Sequence, residues 1–102
     1  MIKTMAVRRP RRALVVAVGE GPARERAAAD LVESLDRLGV ETICLGAEQS
    51  AARIAAIAAD ERADAVEVCV SGRARVMFLC GLLRELTARG RRDVSIVVHR
   101  IG

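Results

Sequence analysis

Aromatic side chains are nearly missing from this sequence, which has one Phe and no Trp or Tyr among 102 residues. That scarcity removes the base-stacking platforms on which proteins hold single-stranded nucleic acid. The three cysteines, Cys44, Cys69 and Cys80, are too few and too dispersed for a disulfide framework, and no pair has metal-ligand spacing. The single histidine, His99, lies far from them in the chain. No run approaches the roughly 20 apolar residues of a membrane span, and no amino-terminal stretch is apolar enough for a signal peptide. Each cysteine falls in an apolar run, so three buried, reduced thiols in a cytoplasmic protein are expected.

What remains is an aliphatic and arginine-rich chain. Hydrophobic residues make up 52%, almost all Ala, Val, Leu and Ile, enough for one core but not two. The 17 Lys and Arg residues include a single lysine, Lys3, so the net charge of +4 is carried almost wholly by guanidinium groups. Residues 1–12 read as a basic leader, with Arg8, Arg9, Arg11 and Arg12. Lacking aromatics or a recognition-helix pattern, the leader reads as a solvated tail rather than a nucleic-acid arm. Residues 13–102 read as a single domain.

Four apolar runs alternate with three helical patterns. Ala13–Val18 is continuously apolar, as a strand covered on both faces should be. Val40–Leu45, Ala65–Val70 and Val94–Val98 predict three further strands. Between the first two, Ala27, Ala28, Leu31, Leu35 and Leu38 recur at helical spacing, and Gly39 supplies the stop. Ser50 predicts the cap of a second helix with Ile54, Ile57 and Ala58 inward. Leu79, Leu82, Leu83 and Leu86 define a third helix that stops at Arg89-Gly90. This rhythm predicts an α/β fold: a flavodoxin- or Rossmann-like three-layer sandwich with four parallel strands in the order 2-1-3-4 and helices on both faces. The carboxyl ends of the strands then share one edge, where such folds bind ligands.

The chain resembles the cobalamin (B12)-binding domain at the carboxyl end of methylmalonyl-CoA mutase and related acyl-CoA mutases, over about residues 8–102. The resemblance is carried by Arg8-Arg9-Pro10-Arg11 before the first strand, Leu38-Gly39-Val40-Glu41 and Gly46-x-x-Gln49-Ser50. It continues in Leu82-Leu83-Arg84-Glu85-Leu86 and in Gly90-Arg91-Arg92-Asp93-Val94. It implies a ligand site in the loops holding Gly19, Gly21, Arg24, Cys69, Ser71, His99 and Arg100. The family's ligand residues, however, are replaced. Its Asp-x-His-x-x-Gly, which brings a histidine to cobalt, corresponds to Gly21-Pro22-Ala23-Arg24-Glu25-Arg26. Its Ser-x-Leu aligns with Cys69-Val70-Ser71, and its Gly-Gly, which lets a nucleotide tail pass the backbone, aligns with His99-Arg100. The chain also ends before the family's fifth strand and closing helices. Histidine-on cobalamin is therefore not expected, and no cofactor or metal is assigned.

In place of the ligand residues stand arginines. Arg24 and Arg26 open the first helix against its dipole, and the fold brings Arg73, Arg75 and Arg100 towards the same edge. They are candidates for binding an anionic small molecule. No carboxylates form an acid/base pair and Ser71 has no partner histidine in a motif, so no catalytic residue is assigned. The expected function is that of an accessory or small-subunit protein of the methylmalonyl-CoA mutase type, acting by association with a second copy or a mutase-like large subunit. The fourth strand, apolar and at an open edge, is where such pairing is expected. Two alternatives stay open: a cobalamin-binding small subunit of an acyl-CoA mutase that binds B12 without the histidine, and an anion- or nucleotide-binding regulatory domain.

Overall fold

A computed structural model of the chain describes residues 11–19, 22–46, 49–71 and 76–101. The elements are β1 (Arg12–Val18), α1 (Ala23–Arg37), β2 (Glu41–Cys44), α2 (Ala51–Asp60), β3 (Ala65–Ser71), α3 (Val76–Ala88) and β4 (Ser95–Ile101). They form one parallel sheet in the order β2-β1-β3-β4. The flavodoxin-like α/β architecture read from the sequence is the one observed.

Period-two alternation along the strands sorts the core into two layers. Leu14, Val16, Val66, Val68 and Val70 face α2 and α3, packing on Ile54, Ala55, Ala58, Leu82 and Leu86. Ala13, Val15, Ala17, Ala65 and Cys69 face α1, packing on Ala28 and Leu35. Small side chains on the α1 side allow one helix to lie close to the two central strands. Each fully buried Leu or Ile, such as Leu82 and Ile54, contributes about 1.5–3 kcal/mol.

The helix ends follow local chemistry. Ser50 caps α2 by accepting from the Arg53 amide (3.1 Å). Gly39 and Gly90 take φ of +80° and +71°, so each continues the chain beyond a helix in the left-handed region that a side chain disfavours. After α2 that position falls to Arg62 (φ +54°), with Ala63 N–H donating to Ala58 C=O and Arg62 N–H to Ala59 C=O. This is a Schellman closure without its usual glycine. Arg91 pins the same helix end, donating to the carbonyls of Ala58 and Ala63 and to the Asp93 carboxylate.

Several expectations need correction. β1 starts one residue earlier than expected, at Arg12, which pairs with Glu41. The amides of Arg11 and Arg12 both donate to Asp64, so these two arginines are tied into the domain rather than forming a solvated leader. Cys69 is buried, but Cys44 and Cys80 are exposed. An apolar run does not bury a residue on the edge strand β2 or on the outer flank of α3. Leu38 and Leu83 belong to apolar stripes yet are half exposed. No helix among the described residues is long and apolar enough to cross a membrane.

Candidate functional site

Gly19 closes β1 at φ +113°, and Pro22 stands at the N-cap of α1, where its side chain makes no capping hydrogen bond. The amides of the first turn are therefore not capped from that position. Arg24 lies one turn ahead of Ala28 on the stripe that continues through Leu31 and Leu35, so it turns towards the sheet. Its guanidinium donates from Nη1 to the Gly19 carbonyl, clasping the loop shut. Its Nε is buried and has no partner among the described residues. Arg26 is exposed. Gly21, Arg73 and Arg75 lie outside the described residues.

His99 and Arg100 were expected in a loop after the fourth strand. Instead β4 continues to Ile101, in register with the full length of β3: Cys69 opposes His99, Val70 opposes Arg100 and Ser71 opposes Ile101. Consecutive strand residues point to opposite faces, so His99 lies on the α1 side and Arg100 on the α2/α3 side. The two do not converge on one ligand with Arg24.

The polar centre that the structure does assemble was absent from the sequence reading. Glu67, in the middle of β3, is 6% exposed and lies on the α1 side between Ala65 and Cys69. Its Oε1 shares a hydrogen bond of 2.6 Å with His99 Nε2. The histidine side chain is 38% exposed and the carboxylate 7%, so the pair runs from the core out to an uncovered part of the sheet. The available signal was a charged residue centred in an apolar run, a position that requires a partner.

Cys69 shares that face. Burial pushes its thiol above the usual range, and the nearby Glu67 carboxylate and Cys44 push it in the same direction. A buried thiol that holds its proton more tightly is a poorer nucleophile. Among the described residues, no group of three or more His, Cys, Asp or Glu side chains is arranged to hold a metal ion.

Compared with known proteins, the chain matches no protein-family model and no curated sequence.

Proposed function

We propose that this chain is a non-enzymatic association module: an accessory or small-subunit protein of the methylmalonyl-CoA mutase type, acting by docking rather than by histidine-on cobalamin chemistry. The observation that carries this reading is the open side of the sheet at β4. Val97 on one face and Val98 on the other are 37% and 41% exposed in a strand that, among the described residues, has a neighbour on one side only. On the α2/α3 side, Val76, Met77 and Leu83 are also exposed. Exposed apolar side chains, and a strand edge open among the described residues, are each features of interaction surfaces.

Cobalamin ligated by histidine is less well supported. His99 spends Nε2 on Glu67 in mid-sheet, and Arg24 folds back on Gly19 in the loop where the resembled family carries its histidine. A cobalamin-binding small subunit without that ligand remains the alternative enzyme-linked reading. The anion-site reading is favoured by one observation, the Nε of Arg24, which has no partner among the described residues, beside a helix N-terminus that Pro22 does not cap.

Two measurements test the proposal. The first is sedimentation velocity of the chain alone and with a mutase-type large subunit, and association in either arm is expected. The second is visible absorption after mixing with hydroxocobalamin or adenosylcobalamin and desalting, where no retained corrinoid spectrum is expected. No association in either arm overturns the proposal, and a retained spectrum moves the assignment to the cobalamin-binding subunit.

A further inference from the structure

We infer that the docking partner of the β4 edge is a second copy of this chain, joined by antiparallel pairing of the two β4 strands across a two-fold axis at Val98. This inference rests on the association reading above and names its partner.

The backbone sets the geometry. Ser95 N–H donates to the Asp64 carbonyl at the start of β3, and the register runs from Ala65↔Ser95 to Ser71↔Ile101. In a parallel pair alternate residues turn their N–H and C=O to the same neighbour. Ser95, Val97, His99 and Ile101 therefore face β3, whereas Ile96, Val98 and Arg100 face outward. Three consecutive outward-facing residues, centred on Val98, are a self-complementary set. With the axis at Val98, each Ile96 meets the other copy's Arg100, and every outward group gains a partner.

Charge favours this register. The permanent cation of β4, Arg100, sits near its carboxyl end. An antiparallel copy places Val97 opposite His99 and Ile96 opposite Arg100, so no like charges face each other. The two Arg100 positions are then four residues apart along the strands, about 13 Å at 3.3 Å per residue, beyond the roughly 8 Å screening length of physiological salt. Sliding the register two residues towards the carboxyl end would halve that separation, and sliding it the other way would leave Arg100 beyond the start of the other strand. The axis at Val98 satisfies both constraints.

The rest of the edge chemistry selects a copy over other occupants. A free peptide would lose about 1–2 kcal/mol of backbone entropy per residue on joining the sheet. A second β4 is already ordered along seven residues by β3, so it avoids most of that cost. The opposite edge is blunted. β2 has four residues, Glu41 is engaged by Arg12 (2.5 Å), and Thr42 bonds Asp36 of α1 (3.4 Å). Head-to-tail β2–β4 pairing is thereby disfavoured, and association closes as a two-fold dimer instead of propagating.

The test combines mass with site-resolved amide exchange, using the full chain. Sedimentation equilibrium at tens of micromolar is expected to give the mass of two chains, and Val98→Lys, which sets two lysines opposite each other, to weaken the dimer by about tenfold or more. Hydrogen exchange of the unmodified chain needs no variant. The amides of Ile96, Val98 and Arg100 are expected to be protected at high concentration and released on dilution, while those of Val97 and His99 stay protected throughout. A monomer at tens of micromolar overturns the inference, as does a dimer in which the three outward amides exchange freely or which a folded Val98→Lys chain retains unchanged. A monomer that still binds the large subunit overturns only the choice of partner, whereas failure in both arms removes the association reading itself.

Discussion

Glu67 and His99, on neighbouring strands of the sheet, form a hydrogen-bonded pair 2.6 Å apart with the carboxylate in the core and the imidazole at its border. A buried carboxylate deprived of its donor bears its desolvation alone. His99→Ala is therefore expected to destabilise the fold by about 1–3 kcal/mol. In a Glu67→Leu background the same substitution should cost much less, since no charge is left stranded. Urea unfolding of the four chains of this cycle measures the difference. A cost for His99→Ala that is unchanged by Glu67→Leu would mean that the two side chains do not act as a pair.

The three thiols should separate into two classes. Cys44 and Cys80 are exposed and Cys69 is buried, so a thiol reagent such as DTNB is expected to label two cysteines quickly and the third only on unfolding. The raised Cys69 thiol also gives a pH dependence with a defined sign. The unfolded chain loses this proton near the ordinary value of 9.0, whereas the folded chain holds it to higher pH. Stability from this group is thus complete below about pH 9 and is lost as pH rises through the folded value. Cys69→Ala should remove that alkaline component while leaving the curve at neutral pH with the same shape. Rapid labelling of all three thiols in the native state would contradict the burial.

Two backbone positions carry correctable costs. Arg62 holds a left-handed conformation that costs a side-chain-bearing residue about 1–2 kcal/mol, partly offset because glycine loosens the unfolded chain. Arg62→Gly is expected to stabilise by roughly 0.5–1 kcal/mol. At Gly81, inside α3, an added Cβ would meet Ala51 Cβ at 3.7 Å, an ordinary contact. Gly81→Ala should therefore gain the helical preference of alanine, about 0.5–1 kcal/mol. Urea midpoints check both. A loss at Gly81→Ala would mean that α3 cannot hold its approach to α2 with a methyl group between them.

The strand order, the helix stops at Gly39 and Gly90 and the Ser50 cap were legible because each is written in local chemistry. The place of the apolar fourth strand, last in the order 2-1-3-4, was legible too. The site was not. His99 and Arg100 read as loop residues because polarity seemed to end the strand at Val98, but register with β3 carries β4 on to Ile101. Glu67 passed unnoticed inside Ala65–Val70 because its partner lies 32 positions away, and only strand register brings the two together. Cys44 and Cys80 read as buried because periodicity reports a residue's neighbours in sequence, not whether another element covers it.

Arg24 joins both functional questions in one side chain. Its Nη1 clasps the Gly19 carbonyl, a bond from a charged donor worth about 1.5–3 kcal/mol. Against that stand a cation at the positive end of α1, costing about 0.3–1 kcal/mol, and a buried Nε without a partner among the described residues, costing about 1–3 kcal/mol. The contributions nearly cancel, so Arg24→Leu, although it deletes a hydrogen bond, is expected to leave stability nearly unchanged, as measured by urea unfolding in chloride buffer. The same experiment in sulfate at matched ionic strength separates the two readings. If Nε is simply an orphan of the loop clasp, sulfate shifts the native and Arg24→Leu midpoints equally. A stabilisation by sulfate that is confined to the native chain would make Arg24 an anion ligand, and the loop after β1 a binding site in its own right.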